Sequence, residues 1–215
     1  MEWHGRVTLR EQRKGETRSR ILEAANGVFA RRGYEAATVE EIATDSGVAK
    51  GALYGHFAGK EDLFRTILLE HVRRRAAETA ARLEPGLSVR QSILLIIEAS
   101  WSTCRADPIW SPLFMEFLAL AGRNEWGRNA LGALFDHCSA ALADFLSDAK
   151  RAGLVRPDLD VHRAARLMLA VNDGFMLQWQ AQPDKVDPEQ FLGPMADMIA
   201  GYLTADQAAL GARSR

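Results

Sequence analysis

Residues 38–64, TVEEIATDSGVAKGALYGHFAGKEDLF, carry the side chains whose types and spacing point most directly to a chemistry. Small and polar residues stand side by side here: Lys50, Gly51, Ala52, Tyr54, Gly55 and His56. A lysine can donate to the guanine acceptors of the major groove, and an alanine methyl can contact a thymine methyl. Small residues let the backbone approach the bases closely. The stretch therefore predicts a surface that contacts double-stranded DNA.

Two short helices are predicted to position this surface. Thr38 is a good N-cap, with Glu41 completing a capping box, and Gly47 breaks the chain before a third helix over about residues 49–56. Apolar residues are spaced to pack the two helices together: Ile42, Ala43, Val48, Leu53 and Phe57. This pattern indicates a helix-turn-helix, whose second helix enters the major groove.

A first helix over about residues 16–32 is predicted to support the pair. It presents an apolar face to the core and ends at Gly33, with the face formed by Ile21, Ala25, Val28 and Phe29. A long helix follows from about Lys60.

Over residues 17–64 the sequence resembles the tetracycline-repressor (TetR/AcrR) family of bacterial regulators. The resemblance rests on Ile21, Ala25, Phe29, Gly33, Thr38, Ile42, Ala43, Gly47, Val48, Gly51, Leu53, Tyr54, His56, Phe57, Lys60 and Leu63. It implies phosphate contacts by four residues, namely Thr38, Tyr54, His56 and Lys60. It also implies base reading by Lys50, Gly51 and Ala52.

Two positions depart from the family pattern. Ala49 stands where a capping Ser or Thr is common, and Gly55 replaces a bulkier side chain. Simpler roles also remain open for single residues: Tyr54 as the edge of the core, His56 as a surface histidine and Lys60 as a solvated charge.

Composition excludes several classes of protein. With 47% hydrophobic and 26% charged residues, the 215-residue chain can bury a core. It has no apolar run near the roughly 18 residues that span a bilayer, and its polar start does not resemble a secretion signal. We therefore expect a cytoplasmic protein without membrane contact. Cys104 and Cys138 lack metal-site spacing, so no metal or cofactor is expected; two free thiols are favoured over a disulfide.

The net charge of −1 hides a basic N-terminus with Arg6, Arg10, Arg13, Lys14, Arg18 and Arg20. Basic arms attract phosphate, although a solvated tail explains these charges equally well.

The predicted organisation is a flexible arm over residues 1–15, a DNA-binding domain over 16–59, a helical ligand-binding and dimerisation domain over 60–208, and a flexible tail over 209–215. Helical spacing throughout predicts an all-α fold of about nine helices.

The last two helices are predicted to begin after the caps Asp160 and Asp187. Both carry more apolar residues than one subunit can cover, so a second copy is expected to complete a four-helix bundle. A homodimer of this kind requires a near-palindromic operator.

Large adaptable residues of the later helices are the candidates for the effector cavity that the resemblance implies. They are Trp101, Trp110, Phe114, Phe117, Trp126, Phe135, Met168, Asn172, Phe175 and Met176. Ordinary core packing is the alternative for most of them. The sequence thus predicts a dimeric one-component transcriptional regulator, by family default a repressor, that a small and largely apolar ligand releases from DNA. A dimeric DNA-binding protein without ligand control is the alternative function.

An enzyme is not expected. Asp136, His137 and Cys138, or Asp160 with His162, offer titratable groups. No nucleophile motif, metal spacing or phosphate-binding glycine loop accompanies them, and helical spacing puts His137 and Cys138 on different faces.

Overall fold

A computed structural model describes residues 8–106 and 110–205, and within this part of the chain the structure is all α-helical. The nine helices of the described residues are α1 (Leu9–Ala36), α2 (Val39–Ser46), α3 (Lys50–Tyr54), α4 (Lys60–Ala80), α5 (Val89–Ala106), α6 (Trp110–Arg123), α7 (Glu125–Arg151), α8 (Val161–Ala181) and α9 (Pro188–Thr204). The predicted fold class is confirmed. None of these helices is long and apolar enough to cross a membrane. The predicted tail and the first seven residues of the predicted arm lie outside the described residues.

The chain divides into two compact units. The first comprises Met1–His71 with Pro112–Gly127, and the second comprises Val72–Ser111 with Arg128–Arg215, each taken over its described residues. This division differs from the predicted boundary at Lys60, because α4 supplies residues 60–71 to the first unit and 72–80 to the second. The first unit also includes most of α6, which the sequence assigned to the C-terminal domain.

Aromatic packing explains why part of α6 belongs to the first unit. The ring of Phe64 on α4 meets Phe29 on α1 edge-on at 5.2 Å and Phe117 on α6 edge-on at 5.6 Å. Trp126 at the start of α7 stacks on Tyr34 at 5.9 Å. Such pairs bury large apolar areas in favoured ring geometries. The core of the first unit is therefore closed by side chains that are far apart in sequence.

Helix α1 begins earlier than the sequence predicted. Residues 9–15 were expected in a flexible arm, yet they are helical and α1 starts at Leu9. The reason is a capping box: the Thr8 hydroxyl accepts from the Glu11 N–H, and the Glu11 carboxylate accepts from the Thr8 N–H at 2.8 Å. The basic residues Arg10, Arg13 and Lys14 consequently lie exposed on a helix.

The turn between α2 and α3 follows its sequence signals. The Thr38–Glu41 capping box starts α2, with both reciprocal hydrogen bonds present. Gly47 ends α2 in the left-handed region at φ 64°, where a side chain would be strained. Helix α3 ends at Tyr54, two residues before the predicted end, and Ala49 provides no side-chain cap.

In the second unit, α5 and α8 both pack against α9. Side chains along α5, α8 and α9 are fully or almost fully buried, including Ile93, Ala164, Ala165, Ala196 and Leu203. The caps predicted at Asp160 and Asp187 are present, and Pro188 occupies the first turn of α9.

The loop before α8 is fixed to α9 by Arg156. Its backbone N–H donates to the carbonyl of Leu203 at 3.0 Å, and its guanidinium lies 5.2 Å from the ring centre of Tyr202. Lys150 Nζ donates to the Leu159 carbonyl at 2.8 Å. These contacts hold the start of α8 in register with the end of α9.

Candidate DNA-binding surface and effector site

Helix α3 has one buried side and one open side. Leu53 is fully buried and Phe57, just beyond the helix, is 3% exposed, so these two residues anchor the segment on the core. The open side is formed by Lys50, Gly51, Ala52, Tyr54 and Gly55, all exposed. The structure thus brings together on one surface five of the residues predicted to contact DNA.

The Lys50 ammonium forms an ion pair with the carboxylate of Glu40 on α2. Their hydrogen bond raises the pKa of Lys50 and lowers that of Glu40, so both groups stay charged over the physiological pH range. Lys50 Nζ also lies 6.0 Å from the ring centre of Tyr54. Sequence analysis did not single out Glu40, because nothing in the spacing reveals a pairing across the turn.

Of the residues on this surface, Tyr54 is 50% exposed. Two further predicted residues lie around it. Thr38 is exposed, and its hydroxyl serves the cap of α2. His56 is half-buried, and its ring centre lies 6.5 Å from that of Phe57.

Lys60 closes the end of α1. Its Nζ donates to the carbonyl oxygens of Tyr34 at 2.8 Å and Glu35 at 3.1 Å, and it lies 4.5 Å from the ring centre of Tyr34. The ammonium therefore compensates carbonyls that a helix end leaves unpaired. An ammonium has three donors, so this arrangement leaves one N–H for another acceptor.

Glu116 is a second residue that sequence analysis missed. Its carboxylate accepts from the backbone N–H of Tyr34 at 2.5 Å, directly after the bend of α1 at Gly33. A Cβ at position 33 would lie 2.5 Å from a Glu116 oxygen, so glycine makes room for the carboxylate. No sequence signal joins residues that are 82 positions apart.

The structure separates the predicted effector residues into two groups. Phe114, Phe117 and Trp126 lie in the first unit, where Phe117 packs on Phe64 and Trp126 on Tyr34. The second unit holds Trp101, Phe135, Met168, Asn172, Phe175 and Met176. The side chain of Trp110 lies outside the described part of the chain.

Within the second unit two of the aromatic candidates, Trp101 and Phe175, are in contact. The Trp101 ring meets Phe175 at 5.0 Å and Trp179 at 5.5 Å, both edge-on. Met168 and Met176 are buried on the same helix as Phe175.

A polar group lies among these apolar residues. Arg75 on α4 donates to the Ser100 hydroxyl at 2.8 Å, and its charge acts on both Asp173 and Cys138. Burial raises the pKa of Asp173, and burial also raises the pKa of Cys138 to about 11. The amide of Asn172 donates to Asp173 at 3.4 Å, and its own Oδ1 is buried with no hydrogen-bond partner. The second unit thus contains an unsatisfied acceptor beside a carboxyl group.

An open cleft of about 570 Å³ lies between α5 and the start of α9. Among the predicted effector residues, Trp101 lines it; the other lining residues are Glu98, Ser102, Arg105, Pro188, Glu189 and Leu192. Arg105 and Glu189 form an ion pair at 2.9 Å at its edge.

Metal-binding chemistry has no support in the described residues, where no group of three or more His, Cys, Asp or Glu side chains could hold a metal ion. Cys138 is a free thiol, and the side chain of Cys104 lies outside the described part.

Family models cover both parts of the chain. A model for bacterial regulatory proteins of the tetR family matches residues 21–67. A model for the C-terminal part of BetI-type transcriptional repressors matches residues 89–204.

Curated relatives extend the match over most of the chain. The HTH-type transcriptional regulator TtgR of Pseudomonas putida is 31% identical over 178 residues, which are 80% of this chain and 84% of TtgR. The HTH-type transcriptional regulator UidR of Escherichia coli is 26% identical over 193 residues, covering 88% and 94% of the two chains. These relatives are regulators rather than enzymes, in agreement with the sequence analysis.

Solved structures share the fold. GusR of Salmonella enterica superposes with a TM-score of 0.72 at 28% identity, covering 93% of this chain and 99% of GusR. The regulator FadR of Bacillus subtilis, solved in complex with stearoyl-CoA, has a TM-score of 0.72 at 21% identity and covers 85% and 97% of the two chains.

Proposed function

Because this chain belongs to the TetR family of bacterial transcriptional regulators, we propose that it is a dimeric one-component repressor. It binds a near-palindromic operator through α2 and α3, and a small, largely apolar effector releases it. The observation that carries the proposal is the open side of α3, held outward by the buried Leu53 and Phe57.

Base reading falls to the start of α3. Lys50 donates to guanine O6 or N7, while Gly51, Ala52 and Gly55 allow close approach of the backbone, and the Ala52 methyl contacts a thymine methyl. The exposure of all four residues supports this assignment.

Phosphate contacts surround the base-reading residues. Thr38, Tyr54 and His56 provide hydroxyl and imidazole donors at the two ends of the α2–α3 pair. Lys60 contributes its remaining N–H, so that one ammonium joins the end of α1 to the DNA backbone. Such contacts fix the register on the duplex without reading sequence.

Dimerisation is supported by apolar side chains left exposed on α8 and α9. They are Leu167 at 46%, Leu177 at 40%, Phe191 at 41% and Met198 at 55% exposure. A two-fold axis would cover each with the same surface of a second copy and present two α3 helices to successive turns of DNA.

The effector site is proposed in the second unit, around Trp101, Met168 and Phe175, with Asn172 at its polar end. The unsatisfied Oδ1 of Asn172 supports a ligand that carries one hydrogen-bond donor on an apolar body. Phe135 and Met176 are proposed as further lining residues. The other four predicted lining residues receive no support from the structure as effector contacts. Phe114, Phe117 and Trp126 belong to the first unit, and the side chain of Trp110 lies outside the described part of the chain.

Operator selection tests the DNA-binding proposal. Full-length protein is incubated with random duplex DNA, and the enriched sequence is used in gel shifts with Lys50→Ala and Tyr54→Ala. We expect Lys50→Ala to weaken binding by at least about tenfold, within the range of one base contact. Tyr54→Ala should weaken binding to the enriched sequence and to unrelated DNA alike, because it removes a phosphate contact. Lys185→Ala is the matched control, because it removes an exposed lysine from the second unit. Enrichment of no sequence, or variants that bind like the wild type, would contradict the proposal.

Effector control needs a separate test. A panel of small amphipathic amines and alcohols is screened by thermal shift, and each hit is added at saturation to the operator complex. A tenfold loss of operator affinity requires only about 1.4 kcal/mol of differential binding. A saturating ligand that leaves operator affinity unchanged would favour a DNA-binding protein without ligand control.

A further inference from the structure

The carboxylate of Glu40 lies beside the open side of α3, at the start of that helix. It is on α2, 61% exposed, and its partner is the ammonium of Lys50 at the start of α3. This places an acceptor and a donor side by side on the surface that the proposed function brings to the major groove.

Neighbouring acidic residues contact α1 or complete the cap of α2, whereas Glu40, in the first turn of α2, pairs with Lys50 of α3. Glu41 completes the cap of α2 and pairs with Arg32 at 3.0 Å. Asp45 pairs with Arg31 at 2.5 Å, tying α1 to α2. The Glu40 side chain instead holds the residue predicted to read bases. Under the proposed function this carboxylate would lie near DNA phosphates and oppose the electrostatic attraction, and a contribution to recognition would offset that cost.

A G·C pair presents the complementary pattern. In the major groove, guanine offers the acceptors O6 and N7, and cytosine offers the N4 donor. An ammonium suits the guanine edge and a carboxylate suits the cytosine edge. The Lys50 ammonium and the Glu40 carboxylate are paired with each other. The guanine and cytosine edges that they would contact are likewise neighbours within one base pair.

Building on the proposed function, we propose that Glu40 is a specificity-determining residue that reads one G·C pair per half-site together with Lys50. Glu40 accepts from cytosine N4, and it also directs the Lys50 ammonium toward guanine rather than toward a phosphate. Discrimination at this position therefore depends on a residue of α2 as well as on α3.

The test compares operators selected from random duplex DNA by the full-length wild type, Glu40→Gln and Glu23→Gln. Both variants remove one negative charge from the first unit, but Glu23 is an exposed residue of α1. Glutamine keeps the size of the side chain, and circular dichroism with thermal melting checks that both variants fold.

The wild type and Glu23→Gln are expected to select G·C at one symmetric position. Glu40→Gln is expected to lose about tenfold of the discrimination against A·T there, as for the loss of one base contact. Without the internal counter-charge, Lys50 also neutralises a phosphate, so the slope of log K against log salt becomes more negative by up to about 0.9 per subunit. If Glu40 only paired with Lys50 and contacted no base, the salt slope would change but the discrimination at this base pair would not.

Two results overturn the inference in distinguishable ways. If the wild type selects an operator and Glu40→Gln selects the same one with equal discrimination, whatever its salt slope, the inference is wrong while the proposed function stands. If the wild type selects no sequence, both fail.

Discussion

Lys50 and Lys60 show how the surroundings decide what one residue type does. Sequence reasoning assigned both to DNA. In the structure Lys50 pairs with a carboxylate on an exposed surface, whereas Lys60 donates to two carbonyls at the end of α1. The Lys50 ammonium therefore stays available at the proposed recognition surface. Two of the three N–H groups of Lys60 instead join α4 to the end of α1.

Cys138 is predicted to be an unreactive thiol in the folded protein. Burial, with a smaller contribution from Asp173, raises its pKa to about 11. Because the thiolate is the reactive form, alkylation by iodoacetamide at pH 8 should be about a hundredfold slower than in urea, and should accelerate as pH rises. Peptide-resolved mass spectrometry measures the modification. Equal native and denatured rates would show that the thiol is not protected.

Asp173→Asn is predicted to stabilise the protein at neutral pH. Burial raises the pKa of this carboxyl, so the folded state binds its proton more tightly than the unfolded state does. The stability it contributes is present at low pH and is lost as pH rises through the folded-state pKa. The advantage of the variant over the wild type should therefore grow between about pH 4 and pH 7, the window above the ordinary carboxyl pKa.

Urea unfolding at the two pH values measures this difference. Asp184→Asn serves as the control, since it makes the same change at an exposed position. If the difference in stability between Asp173→Asn and the wild type did not vary with pH, the raised pKa of Asp173 in the folded protein would be refuted.

At the scale of elements, the helix ends were the most predictable feature. Thr38 with Glu41 and the caps Asp160 and Asp187 all form the expected bonds. A helix cap and its partner lie within four residues of each other, so the sequence alone shows the pair. The box at Thr8 and Glu11 is also present in the sequence, but the basic charge of the segment favours a flexible arm when only the sequence is considered.

Contacts between distant elements were not predictable. Glu40 meets Lys50 across a turn, and Glu116 meets Tyr34 from another helix. Periodicity shows which face of a helix is buried but not which partner covers it. The sequence therefore predicts the residues of the DNA-binding surface that lie on one helix. It does not predict the partners that other helices supply, such as Glu40 and Glu116.

Gly127→Ala is predicted to destabilise the joint between α6 and α7. A Cβ there would lie 2.5 Å from the Leu120 carbonyl carbon, and backbone has to move to admit it. We expect a loss of about 1–3 kcal/mol, as for overpacked cores. Gly132→Ala on the same helix has open space and should instead gain up to about 1 kcal/mol. Chemical denaturation of both variants checks the contrast, and equal effects would argue against close packing at Gly127.

At the scale of the whole molecule, the exposed apolar residues of α8 and α9 predict self-association. Leu167→Glu with Met198→Glu should shift the dimer toward monomer by at least about tenfold, because each charge would have to be buried in the interface. Leu154→Glu is the matched control: Leu154 is 49% exposed but lies in the loop before α8, not on α8 or α9. Sedimentation equilibrium measures the shift. A wild type that remains monomeric, or a double variant that dimerises normally, would contradict it.

The division into units was the least predictable property of the molecule. A boundary at Lys60 follows naturally from the end of the recognisable motif, but tertiary packing adds residues 112–127 to the first unit. Aromatic side chains such as Phe117 and Trp126 look alike in sequence whether they line a cavity or complete a core. Only their partners, Phe64 and Tyr34, distinguish the two cases.

The participation of Trp126 in the core of the first unit has a consequence for synthesis and for engineering. A nascent chain cannot complete that core until more than half of it has left the ribosome. For the same reason, a hybrid that grafts this DNA reader onto another sensor has to transplant two separate stretches, because the N-terminal one alone would leave Tyr34 and Phe64 without their ring partners.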